Sequence, residues 1–381
     1  MTSNHRAGDD TRHRRSGDNL NPFVAYRERL DSYGVATEGG LSDDHFVDIV
    51  GHLDTAIARI EGHGFVETPV VLADDLARAI GHRGELWVKD ETANVGGSHK
   101  ARHLFGVALH LLVGEALGAA RSDQLAIASC GNAALGAAVV ARALDRELHV
   151  FVPLWADETV ISSLEALGAT IDRCRRTDGE AGDPCHHRFL EATAMGATAF
   201  GVQGTDTPTT FDGGRTLGWE LADQVAAIDT LYIQVGGGAL ATAVSMAIPD
   251  ARLNPVQAQG CAPLRRAWDR LAPDFDFAMA RTHPDRYMWP WDDEPTSIAT
   301  GILDDVTYDW LALLDRTRAS DGEPIVAPEQ TVTRAWDLAR AHTDIPVSPT
   351  GSAGLAGLIT DPPPTTGRTA LLFTGLDRSS R

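Results

Sequence analysis

Residues 89–106, KDETANVGGSHKARHLFG, hold both lysines of a 381-residue chain. Of the 33 Lys and Arg, the other 31 are arginines (33 minus 2). The run LWVKDE before the first turn reads as a strand, GGS as a turn, and ARHLFGVALHLLVGEAL as a helix. Lys100 therefore falls at a helix N-terminus, where partly positive backbone groups disfavour its protonated form. An amine that releases its proton can form a Schiff base, which a guanidinium cannot. The plain alternative, a surface lysine spared by chance, fits poorly with a chain that otherwise uses arginine.

Outward from this stretch, strands and helices alternate. ELWVKDE, QLAIASCG, ELHVFVPL, ATAFGVQG, TLYIQVGGG and TALLFTG read as strands. NAALGAAVVARALD, ADETVISSLEALG and TVTRAWDLARAHT read as helices, and so do the two apolar-periodic segments before residue 61. Such alternation predicts βαβ units around mostly parallel sheets, with ligands at the carboxyl ends of the strands. Residues 268–298, rich in proline and without a clean period, predict an irregular surface excursion.

Composition narrows the partners. A formal charge of -20 argues against nucleic acid and anionic membranes, both of which need a basic face. Residues 1–20 are polar, carry three aspartates and lack an apolar core, so they read as a disordered tail. No run approaches a membrane span. Cys130, Cys174, Cys185 and Cys261 show no metal-type spacing, so no metal is expected and the thiols read as those of a reduced, cytoplasmic protein.

Three further strand ends carry candidate chemistry. In SCGNAA, backbone N–H groups at 129–131 suit a carboxylate, and Asn132 can reach a phenol-like oxygen. In QVGGGAL, three consecutive glycines before a helix let backbone amides wrap a phosphate, although the pattern is neither GxGxxG nor GxxxxGK[ST]. In LLFTGLD, the Thr374 hydroxyl ends a strand. Each turn alone is unspecific. A Schiff-base amine, a phosphate cradle, an amide and a strand-end hydroxyl together match pyridoxal phosphate.

In the same order, about Asn21 to Asp377, the chain resembles the tryptophan-synthase-β-like family, the fold-type II pyridoxal-phosphate enzymes. It is most similar to threonine synthases and threonine/serine dehydratases. TPVVLADDLARAIGHRGELWVKDETANVGGSHKAR, SCGNAA, FDGGRTLGWEL, QVGGGAL, VSPTGSAGLAGL and LLFTGLD carry the likeness. It implies two three-layer α/β domains with the cofactor between them. Residues 21–100 plus 205–381 would form the large domain, and 101–204 a small one that closes over substrate. Lys100 would hold the cofactor and move protons, Asn132 would bond the pyridoxal 3′-oxygen, and Gly236, Gly237, Gly238 and Ala239 would cradle the phosphate. Thr374 would face the pyridine nitrogen, while Ser98, Ser129, Cys130 and Gly131 would line the substrate carboxylate.

Two residues depart from the usual pattern and stay open. His99 is either a cofactor contact or packing beside the phosphate. Cys130 is either a proton donor on the second face or a small hydrophobe. The implied reaction is β-elimination from a small hydroxy amino acid such as threonine or serine. The alternative is a β- or γ-replacement synthase of the threonine synthase or cysteine synthase kind, favoured by the N-terminal NPFVAYRERLDSY. The resemblance further implies a homodimer.

Overall fold

The computed structural model describes residues 21–177, 182–272, 274–363 and 366–378; the tail read over 1–20 lies outside them. Among these residues the strands are β1 (Val70–Leu72), β2 (Glu85–Asp90), β3 (Gln124–Ala128), β4 (Glu147–Pro153), β5 (Thr170–Cys174), β6 (Thr198–Ala199), β7 (Thr230–Gln234), β8 (Arg252–Ala258), β9 (Ile325–Ala327) and β10 (Arg368–Phe373). They form a six-stranded sheet, β1-β2-β10-β7-β8-β9, and a four-stranded sheet, β5-β4-β3-β6. Every pairing is parallel except β1 with β2.

The strand β10 shows why the larger sheet is buried on both faces. Leu371 and Phe373 join a core with Leu86, Val88 and the helix Pro349–Thr360, whereas Ala370 and Leu372 join a second core with Leu231, Ile233 and the helix Ala239–Ala247. Successive side chains on a strand point to opposite faces, so a continuous apolar run such as ALLF suits a sheet covered by helices on both sides. A third core joins β3 and β4 to the helices Lys100–Ala116 and Asn132–Ala143, and also to Phe23, Phe46, Val50 and Ile57 of the N-terminal helices.

All six expected strands are present, although ATAFGVQG keeps only the two residues of β6. Four strands escape the sequence reading. β5 (TIDRC) is a largely exposed edge, β1 and β9 have three residues each, and β8 (RLNPVQA) carries Asn, Pro and Gln in a buried position. Polar strands of this kind are selected by pairing, not by propensity. The excursion at 268–298 contains a short helix, Phe277–Thr282, and a 3-10 turn at Pro284–Arg286. Arg266 stacks on Trp289 at 3.9 Å.

Topology places the site. The neighbouring strands β2, β10 and β7 end at the lysine turn, at Thr374 and at the glycine turn. β3 ends at the Ser129–Asn132 turn. Four of the sequence-selected segments thus lie at carboxyl ends of parallel strands, where α/β folds bind ligands.

Candidate active site

The lysine turn is built by its glycines and by the chain's last strand. Gly96 and Gly97 have φ of 66° and 67°, a region that side chains rarely adopt. The backbone of residues 374–376 then laces the turn: His99 N donates to Thr374 O (3.2 Å), Leu376 N to Gly97 O (2.9 Å), and Ser98 bridges Gly375. Lys100 is the first residue of the helix Lys100–Ala116. Burial lowers the pKa of its amine, opposed by the nearby carboxylates of Asp304 and Asp309. Desolvation, more than helix position, makes this lysine easy to deprotonate.

The helix that starts at Lys100 is fixed by a buried ionic cluster. Lys89 Nζ donates to Thr68 O, Glu220 Oε2 and Gln224 Oε1, each at 2.7 Å. Arg102 donates to Glu91 through Nε (2.9 Å) and Nη2 (3.0 Å), and to Glu220 through Nη1 (2.7 Å) and Nη2 (3.0 Å). Two cations meet two carboxylates, and all four side chains are 0% exposed. Against the cost of burial, Arg102 and then Lys89 hold Glu220 ionised. β2, the Lys100 helix and the helix Thr210–Gln224 are thereby tied together. Asp212, on that last helix, accepts from the backbone of Asp31 (2.8 Å) and Ser32 (2.9 Å), capping the helix Asp31–Glu38.

Around Lys100 the other selected residues converge. Asn132 begins the helix Asn132–Ala143, and its Oδ1 accepts from Arg378 Nη1 (2.6 Å). Arg378 Nη2 also reaches Gly96 O (2.7 Å), so one side chain links Asn132 to the lysine turn. With Oδ1 engaged, Asn132 Nδ2 remains a donor. Ser129 and Gly131 form the turn before this helix, with Gly131 N 3.5 Å from Ser129 Oγ. Burial raises the pKa of the Cys130 thiol, and Asp183 and Asp304 push the same way, so it stays protonated. Ser98 is buried, its Oγ 3.4 Å from Lys100 N.

Burial, and then the charge of Lys100, push the pKa of His99 well below the ordinary histidine range, so its imidazole is neutral. Its Nδ1 faces Thr374 O (3.3 Å), while Nε2 is buried without a partner in the described structure. Thr374 is buried, and its Oγ1 accepts from Gln234 Nε2 (2.7 Å). The hydroxyl's own hydrogen is therefore available to an acceptor.

The glycine turn faces acid. A Cβ on Gly236 would overlap Asp304 Oδ2, and one on Gly238 would lie 3.1 Å from the Cβ of Asp309. The Gly237 N–H favours the ionised form of the Asp304 carboxylate, and Asp309 N donates to Gly237 O (2.9 Å). Burial pushes Asp304 up to about 6 and Asp309 up to about 7, with Lys100 opposing both. Gly238 (φ 106°) then caps the helix that starts at Ala239.

Asp304, Asp309, Gln234 and Arg378 belong to this region, and sequence reasoning missed them. Only Gln234 left a signal, as a polar residue ending an apolar strand just before three glycines. The donor set nonetheless fits pyridoxal phosphate. The turn at Gly236–Gly238 already has a carboxylate oxygen against it, a buried hydroxyl keeps a free hydrogen, and a desolvated amine opens the helix.

Two mostly parallel sheets whose strand-end turns meet beside a desolvated lysine have the architecture of the fold-type II class. The chain belongs to the pyridoxal-phosphate dependent enzyme family, whose model matches residues 63–375, and pyridoxal phosphate is its cofactor. Over 191 residues it is 27% identical to the L-threonine ammonia-lyase of Thermotoga maritima, covering 48% of this chain and 45% of that enzyme. The match thus spans less than half the length of that curated relative. The fold is similar to maize serine racemase (TM-score 0.66, 20% identity, 87% of this chain and 94% of that one). It is also similar to the processed threonine deaminase isoform 2 of Solanum lycopersicum (TM-score 0.65, 16% identity, 89% and 92%).

Proposed function

We propose that the enzyme is a lyase of the dehydratase or ammonia-lyase kind, releasing a 2-oxo acid and ammonia from a small hydroxy amino acid such as threonine or serine. Thr374 carries this reading. A neutral hydroxyl whose oxygen is already bonded to Gln234 offers the pyridine nitrogen a hydrogen bond without protonating it, which favours loss of a β-substituent over transamination. The ammonia-lyase likeness supports the same reaction.

Bound pyridoxal phosphate supplies the electron sink at Cα. Lys100 Nζ is the attachment point and then the base that takes the Cα proton, a role its lowered pKa suits. Backbone N–H groups at Ser129, Cys130 and Gly131, with Ser98 beside them, hold the substrate carboxylate. Asn132 Nδ2 donates to the ring's phenolic oxygen. The amides of Gly236, Gly237, Gly238 and Ala239 hold the phosphate, and His99 stays neutral beside the lysine. The four-stranded part, within residues 101–204, brings the carboxylate-binding turn with it as it closes over the substrate toward the large domain of residues 21–100 and 205–381. We infer further a cytoplasmic homodimer. The resemblance supports the pairing, and four free cysteines fit a reducing compartment.

Purified enzyme incubated with L-threonine or L-serine should form a 2-oxo acid, read by lactate dehydrogenase and NADH. Lys100→Ala should lose both the visible absorbance and the product. If neither amino acid yields a 2-oxo acid while an added thiol is consumed in their presence, the enzyme is a replacement synthase and elimination is the wrong assignment.

A further inference from the structure

We propose that Asp304 occupies, from within the chain, the anion-binding turn of Gly236–Gly238, and that phosphorylated cofactor binds by displacing its carboxylate. The proposal rests on the cofactor reading above and concerns a residue that this reading does not use.

The position of Asp304 is specific. Its Oδ2 lies where a Cβ of Gly236 would project and 3.9 Å from where one of Gly237 would, and the Gly237 N–H favours its ionised form. A Gly-rich turn opening a helix holds anions through such backbone N–H groups. Among the described residues no arginine or lysine forms an ion pair with Asp304. Against burial, the charge of Lys100 and then the Gly237 N–H favour its ionised form, while Asp305 and Asp183 add like charge. Asp304 therefore draws on two groups that the cofactor also needs, one for its phosphate and one for its aldehyde.

The backbone around Asp304 is held on both sides. Cys261 Sγ donates to Asp304 O (3.3 Å), Gly301 N to Thr350 Oγ1 (2.9 Å), and Asp309 N to Gly237 O (2.9 Å). With the segment anchored in this way, clearing the turn falls to rotation of the Asp304 side chain. The carboxylate and a phosphate cannot share these amides, since like charges at hydrogen-bond spacing repel strongly in a buried site.

The test titrates cofactor-stripped, full-length enzyme with pyridoxal phosphate and, separately, with pyridoxal, which lacks the phosphate. Binding is followed by visible absorbance and tryptophan quenching. Asp304→Asn and Asp304→Ala, each checked by circular dichroism and a thermal melt, should lower the half-saturating concentration of pyridoxal phosphate about tenfold, the scale of one charge-assisted hydrogen bond. Pyridoxal should shift less than about twofold. Inorganic phosphate should raise the melting temperature of both variants more than that of the parent. Unchanged or weaker binding of pyridoxal phosphate overturns the proposal. An equal gain for pyridoxal also overturns it, because Asp304 would then act only through Lys100. Failure of the cofactor reading looks different: no visible band in the parent at any concentration of pyridoxal phosphate.

Discussion

The buried cluster under the lysine turn makes a quantitative demand. Lys89 and Arg102 balance Glu91 and Glu220, and none of the four side chains touches solvent. Lys89→Met deletes one cation and leaves a net negative charge in the interior. Breaking a buried pair in this way costs about 3–5 kcal/mol. The lower end is expected, because Glu220 keeps Arg102 Nη1 at 2.7 Å and the backbone N of Thr68 at 3.1 Å. At about 3 kcal/mol the folded-to-unfolded ratio falls by roughly 150-fold.

Glu220→Gln makes the opposite error, leaving two cations against Glu91. The double variant restores balance, with Arg102 still held by Glu91 through Nε and Nη2. Its loss should be smaller than the sum of the single losses by about 2 kcal/mol, within the range measured for contacting residues. Urea unfolding followed by circular dichroism at one pH provides all four midpoints. The reasoning is refuted if Lys89→Met costs less than about 1 kcal/mol, or if the double loss equals the sum within about 0.5 kcal/mol.

The remaining predictions concern crowding and titration. A Cβ on Gly213 would overlap Arg102 O where the helices Thr210–Gln224 and Lys100–Ala116 cross, so Gly213→Ala should cost about 2 kcal/mol or more in a thermal melt. Gly51→Ala, in the helix Asp43–Glu61 with open space around it, should be neutral or stabilising by up to about 1 kcal/mol. The hydrogen bond from His186 to Asp206 raises the histidine above its ordinary 6.5, so its stabilisation is complete below that value and lost as pH rises through the raised one. His186→Gln should therefore melt lower than the parent at about pH 5.5 and match it at about pH 9. Burial raises Asp309 from 3.8 to about 7, so its contribution declines as pH climbs through that window. Asp309→Asn should gain stability relative to the parent over the same rise, and a flat difference would show that the carboxyl titrates normally.

Legibility followed chemistry more closely than position. The strand ends that carry Lys100, Asn132, three glycines and Thr374 each leave a local signal, because the backbone turn and the polar group share adjacent residues. Asp304 and Asp309 leave none. Their role depends on a segment far along the chain returning to the Gly236–Gly238 turn, and DDVTYD has no period that foretells it. Arg378 is equally silent, since its reach to Asn132 depends on β10 continuing past Thr374 between the lysine turn and residues 346–348. The role of Asp212 is equally silent, because the backbone that it caps lies about 180 residues earlier.

The two lysines of KDETANVGGSHKARHLFG now have separate reasons not to be arginine. Around Lys89 three oxygens converge on one atom at 2.7 Å. An ammonium places three donors on one nitrogen, whereas a guanidinium spreads five over a flat fork and cannot converge on that point. Burial lowers the pKa of Lys89, and the Glu220 carboxylate that accepts its hydrogen bond opposes that shift. Lys100 has no hydrogen-bond partner for Nζ among the described residues, and its charge is supported only by Asp304 and Asp309, whose own ionisation burial opposes. Burial lowers both amines, but weak anions make weak support for a cation, so the charge at Lys89 is the better supported of the two. Lys89→Arg thus tests shape and should destabilise the fold, whereas Lys100→Arg tests chemistry: the protein should stay folded and lose its visible band. A colourless, unfolded Lys100→Arg protein would show that this side chain is structural as well, and the contrast between the two lysines would collapse.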